Sequence, residues 1–152
     1  MFVDTFDKTM SRGGFSEQFL RQAAAANQRR AEIAAAKRMM HDRCAPSWVI
    51  ERLLERAEKH GVSPALLAGK SRQRALVPVR EELIYSIKAT KPGLSAPQIA
   101  RWFGRDHTSI LYSLAKHALR NRGVAALTTY DVPKRHASAA AFHARRRAEA
   151  ML

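Results

Sequence analysis

Large apolar residues gather between positions 44 and 120, where they recur at the three- and four-residue spacing of helices with one buried face. In PSWVIERLLERAEKHG the repeat is Ile50, Leu53, Leu54 and Ala57. Pro46 suits a first helical turn, and Gly61 a stop, with Lys59 and His60 favourably placed at the negative end of the helix dipole. Ser63-Pro64 opens a short turn of helix, SPALLAG, and a basic loop follows, Lys70-Ser-Arg72-Gln-Arg74. Leu83, Ile84 and Ile87 predict a helix over about 77–89, ended by Pro92-Gly93. Residues 95–119, SAPQIARWFGRDHTSILYSLAKHAL, predict two helices joined by a tight turn. Ser95 and Gln98 have the spacing of a capping box, and Pro97 lies early enough in the helix to do no damage. Ile99, Trp102 and Phe103 form the first apolar face, Gly104 supplies the turn, and Asp106 is placed as the next N-cap, with Ser109 able to return a bond. Ile110, Leu111, Leu114 and Ala118 then point inward, completing a helix-turn-helix pattern. Alternating runs and Asn-Gly hairpins are absent, so the fold class is all-α.

The flanks differ in kind. AAAANQRRAEIAAAKRMM and ASAAAFHARRRAEAML favour helix by propensity but carry little bulk to bury. The expected organisation is a helical N-terminal arm (1–43), a compact helix-turn-helix domain (44–120) and a basic C-terminal tail (121–152). The N-terminal helix, about 16–42, carries Phe19, Ile33, Met39 and Met40, which pack on the domain or on a second chain; a homo-oligomer through this helix stays open. Arg145-Arg146-Arg147 is a solvated face or a second phosphate grip. A membrane-surface helix is the weaker reading, because Phe142, Met151 and Leu152 are the bulky apolar groups there.

Charge adds what periodicity cannot. The chain holds 27 Lys and Arg against 13 Asp and Glu, net +14, with a pI of ≈ 11.0. So large a surplus calls for a polyanion, nucleic acid before an anionic membrane. Half of it, +7, lies in residues 44–120. Aromatics at 7% are too few for a broad single-strand stacking platform. The lone Cys44 excludes an internal disulfide and an all-cysteine zinc site, and His41 with Cys44 lacks a partner pair for a metal. No catalytic constellation stands out, so the chain is expected to be no enzyme and to need no cofactor or metal. It has no membrane-length apolar run, and MFVDTFDKTM lacks the marks of a secretory signal. A cytoplasmic, nucleoid-associated protein is expected.

The chemistry concentrates at the start of the second helix. His107, Thr108 and Ser109 project from its first turn, the part of a recognition helix that meets base edges in the major groove. Asp106 can accept a bond from a cytosine amine, and Arg101, Arg105 and Lys116 lie near enough to hold phosphates.

These residues also carry a family resemblance. Ser95-Ala-Pro97-Gln-Ile99, Phe103-Gly104 and Arg105-Asp106-His107-Thr108-Ser109-Ile110-Leu111 resemble the Ser-Leu-Pro-Glu-Ile helix, Phe-Gly-Gly turn and Arg-Asp-His-Thr-Thr-Val-Leu string of the C-terminal DNA-binding domain of the bacterial replication initiator DnaA. The resemblance covers roughly residues 46–118. It implies a Trp-repressor-like, DnaA C-terminal-like fold that binds double-stranded DNA at short, asymmetric, A/T-rich DnaA boxes. Carried over, Arg72 enters the minor groove, while Pro97, Asp106, His107, Thr108 and Ser109 read the major groove. Lys70, Arg74, Arg80, Lys88 and Arg105 bind phosphates. The chain departs from the pattern in having one turn glycine instead of two, a longer 90–94 loop, and Glu81 where the family often has glutamine. Gly69-Lys-Ser lacks the glycine spacing of a nucleotide-binding loop. The expectation is a binder of boxes without nucleotide, regulating replication initiation or transcription. The alternatives are an architectural DNA-binding protein with weak sequence preference and a protein-interaction adaptor.

Overall fold

The Ser16 hydroxyl accepts from the Phe19 N–H and opens α1, Glu17–Asp42. Alanine keeps this helix formed with little burial, and most of its length is exposed, including Phe19 and Leu20. Only the last turns enter the core, through Ala36 and Met40. Of the two packings open for the N-terminal helix, its C-terminal end adopts the one on its own domain. The computed structural model describes residues 16–132 and, beyond them, only positions 145 and 148. The expectations for Phe142, Arg146, Arg147, Met151 and Leu152 lie outside the described residues.

A tight turn ends α1. Cys44 takes a left-handed φ of 58° and its N–H donates to His41 O, while Ala45 N–H reaches back to Met40 O. These are the crossed bonds of a glycine-type helix stop, made here by a residue with a Cβ. α2, Ser47–His60, then buries Val49, Ile50, Leu53 and Ala57 and stops at Gly61, φ 63°. In α3, Pro64–Ala68, Ser63 caps the Leu66 N–H and Leu67 is fully buried. α4, Leu76–Thr90, sends Val79, Leu83, Ile84 and Ile87 inward. α5, Ala96–Phe103, and α6, His107–Arg120, complete the fold.

Among residues 16–132 there are six helices and no strand, the all-α domain expected. α1 packs on α3, α2 on α3 and α4, and α6 on both α4 and α5. One core joins them, with Met40, Leu53, Leu67, Ile84, Ile99, Phe103 and Ile110 at its centre. Burying each such side chain contributes at most about 1.5–3 kcal/mol. Past α6 the chain turns back: Tyr85 Oη donates to Ala125 O at 2.6 Å and Val132 is buried. Among the described residues no helix is long and apolar enough to cross a membrane, and no three potential metal ligands converge.

Candidate nucleic-acid interface

The interface is built on how α5 starts and stops. Ser95 and Gln98 form the expected capping box: Gln98 N–H donates to Ser95 Oγ at 3.3 Å, and Ser95 N–H to Gln98 Oε1 at 2.9 Å. Pro97 falls in the first turn, where a missing N–H costs nothing, and is exposed. Ile99, Ala100, Trp102 and Phe103 bury the inner face. Gly104 then takes φ 58°, and Arg105 N–H returns to Ala100 O at 2.9 Å. A Cβ at 104 would lie 3.1 Å from the Arg43 guanidinium, so the single glycine answers two demands, backbone and space.

α6 begins at once. Asp106 is its N-cap by backbone geometry, its carbonyl accepting from Ser109 and Ile110, but its carboxylate makes no cap bond. The expected side-chain cap is therefore replaced by an exposed carboxylate. His107 and Thr108 are exposed beside it, Ser109 is half-buried, and fully buried Ile110 anchors the turn. The first turn thus presents polar side chains and the positive end of the helix dipole outward. On the next turn Tyr112 and Ser113 continue the same cleft, and Lys116 lies 6.0 Å from the Tyr112 ring centroid.

An open cleft of ≈ 470 Å³ brings part of the predicted set together, while Lys70, Arg74, Lys88, Pro97 and His107 lie outside its lining. Arg72, Arg80, Arg105, Asp106, Thr108 and Ser109 line it with Glu81. Lys70, Arg72 and Arg74 stand exposed on the loop between α3 and α4. Arg105 Nη2 makes a long bond of 3.5 Å to Ser71 O, and its Nε is buried without a partner. Burial, then the charges of Arg72 and Arg43, lower the Arg105 pKa. None of the ion pairs among the described residues involves Arg43, Arg72, Arg80 or Arg105. The cluster is a concentration of positive charge that an anion would relieve.

Two expected phosphate ligands have other work. Arg80 is only 4% exposed. Its guanidinium donates to the carbonyls of Leu67 (3.2 Å), Ser71 (2.8 Å), Leu66 (3.0 Å) and Gly69 (3.3 Å). It satisfies the orphan carbonyls at the end of α3 and shapes the basic loop, rather than standing free for DNA. Burial, then the charge of Arg105, bring its pKa down to about 10. Lys88 Nζ donates to Pro92 O and Leu94 O, pinning the loop before α5 and leaving one N–H uncommitted.

Glu81 faces the same cleft yet is almost wholly buried, bonded at 2.7 Å to Arg120 at the end of α6. Burial raises its pKa, while the charges of Arg120 and then Lys116 pull the other way. This pair ties α4 to the recognition helix across 39 positions of sequence, a separation at which no local pattern announces it. Arg43 was equally invisible, because nothing in the sequence marks the residue that caps the N-terminal helix as reaching α3 and α5.

A short helix, a glycine turn, and a second helix whose first turn is polar and exposed beside clustered arginines define a helix-turn-helix DNA-binding domain. Residues 55–116 match the family described as bacterial dnaA protein helix-turn-helix. One relative is the chromosomal replication initiator protein DnaA of Deinococcus radiodurans, 35% identical over 60 residues. That alignment covers 40% of this chain and 13% of the relative. No solved structure matches.

Proposed function

We propose that this chain binds double-stranded DNA sequence-specifically at short sites like the DnaA box, and so regulates replication initiation or transcription. α6 enters the major groove with Asp106, His107, Thr108 and Ser109 toward base edges, and Pro97 borders the same groove from α5. Arg72 reaches from the basic loop into the neighbouring minor groove. Lys70, Arg74, Arg105 and the uncommitted N–H of Lys88 hold phosphates, which supply most of the affinity and none of the sequence information. Arg80 serves the complex indirectly, by giving the loop its shape. The observation that carries this reading is the convergence of Arg72 and Arg105 with the exposed first turn of α6 on one cleft.

The test separates reading from gripping. Binding of His107→Ala is compared with the parent chain on a DnaA-box duplex and on a scrambled duplex, across several salt concentrations. The variant is expected to lose discrimination while its affinity for scrambled DNA survives. A parental box-to-scrambled ratio in the variant would overturn the base-reading role.

A further inference from the structure

Arg43 lies outside the residues that match the family, at the end of α1. Its Nη1 donates to Ala68 O at 2.7 Å and to Trp102 O at 3.3 Å. Ala68 is the last residue of α3 and Trp102 the penultimate residue of α5. Both carbonyls belong to the set that a helix leaves unsatisfied at its C-terminus, where a cation also faces the negative end of the dipole. One guanidinium therefore closes two helices. Each of those helices runs directly into a DNA-facing segment: α3 into the basic loop with Arg72, and α5 through Gly104 into the first turn of α6.

Three further observations converge on this contact. Gly104 leaves the guanidinium its space, since a Cβ there would lie 3.1 Å from Arg43 Cζ and Nη2. The left-handed turn at Cys44 holds a residue with a Cβ in a conformation costing about 1–2 kcal/mol, which persists only where surrounding contacts impose it. Met40 and Ala36, about one and two turns earlier, anchor α1 in the core, so the arginine projects from a fixed base.

We propose that Arg43 is a positioning residue for DNA recognition: its guanidinium ties the end of α3 to the end of α5 and thereby sets the distance between the basic loop and the recognition helix. The inference rests on the DNA-binding reading above. Arg72 and His107 have to engage neighbouring grooves of one duplex together, and such a constellation works only when held within about 0.5 Å of its productive geometry. Losing the tie therefore penalises the matched site, which needs both contacts at once, more than DNA in general.

The experiment compares the full chain with Arg43→Met, which removes the donors, and Arg43→Lys, which keeps the charge on a stem one atom shorter. Affinity for box and scrambled duplexes is measured against salt, and amide hydrogen exchange is followed in the free proteins. Arg43→Met is expected to lower the box-to-scrambled ratio about tenfold, the equivalent of about 1.4 kcal/mol. Amides of 69–74 and 104–105 should exchange faster while those of α4 keep their protection. Arg43→Lys should show the same pattern in weaker form, and it decides the matter if Arg43→Met does not fold. A parental ratio in a folded variant overturns the proposal. So does an equal loss on both duplexes with a salt slope lower by about one, the mark of a direct phosphate contact. Failure of the DNA reading itself looks different: the parent chain would not distinguish the two duplexes.

Discussion

Arg80 offers the sharpest contrast between two physical roles. As a phosphate ligand it would be removable at no cost to the free protein; as the organiser of the α3 end and basic loop it would not. Four charge-assisted bonds, each contributing about 1.5 kcal/mol at the low end, give about 6 kcal/mol. Burial works against the charge, as the lowering of its pKa from 12.5 to about 10 records. Bonds that share one guanidinium do not add in full, so the expected loss in Arg80→Met, which preserves the bulk of the stem, is about half that sum, about 3 kcal/mol. For a domain of about 100 residues that lowers the melting temperature by roughly 10–20 °C. The assay is thermal and denaturant unfolding of parent and variant without DNA, followed by box binding across salt concentrations at a temperature where both are folded. A variant that melts with the parent, and whose salt slope falls by about one, would refute the structural role and restore the direct phosphate contact.

Gly104→Ala should lose about 1–2 kcal/mol from the left-handed backbone alone and displace Arg43 as well, so unfolding midpoints should fall and box binding weaken with them; an unperturbed midpoint would show that the turn relaxes freely. Cys44→Gly removes a left-handed strain of similar size against a glycine entropy of about 0.5–1 kcal/mol, and should raise stability by about 0.5–1 kcal/mol in chemical denaturation. Ile110→Ala, at the fully buried anchor of the recognition turn, should cost about 2–5 kcal/mol, measured as the shift of the urea midpoint. His117 stacks 4.6 Å from the Tyr85 ring, and burial first, then Arg120 and Arg56 against an opposing Glu82, lower its pKa below 6.5. The unfolded chain then binds the proton more readily, so this contribution is present above pH 6.5 and lost as pH falls from there through the lower folded value. His117→Phe should flatten that limb of the stability curve, and an unchanged limb would contradict it.

Local features were legible before any coordinates. The capping box of Ser95 and Gln98, the stop at Gly61 and the turn at Gly104 involve residues three or four apart, and their stereochemistry leaves few alternatives. The inward faces of α2, α4 and α6 follow from periodicity for the same reason. What stayed hidden depends on where a long side chain goes. A basic residue near a helix end serves equally to hold a phosphate or to close a carbonyl, and Arg80 and Arg43 took the second course because orphan carbonyls of α3 and α5 lay within reach. Asp106 went the other way: its backbone is that of an N-cap, but the side chain forgoes the bond that residue type would predict. In α1 bulk was a partial guide: Met40 is buried and Met39 packs on the core, whereas Phe19 is about half exposed and small Ala36 is buried; which turns of an alanine-rich helix meet the core is settled by the partner elements.

The central claim is that α6 and the basic loop read a particular short DNA site. Selection of bound duplexes from a randomised pool by the parent chain, at physiological salt, tests it most directly. The account predicts enrichment of a short, asymmetric, A/T-rich site like the DnaA box, lost from the pool selected by His107→Ala. A pool that binds tightly yet shows no enriched site would contradict it and leave a protein that holds DNA by its charge alone.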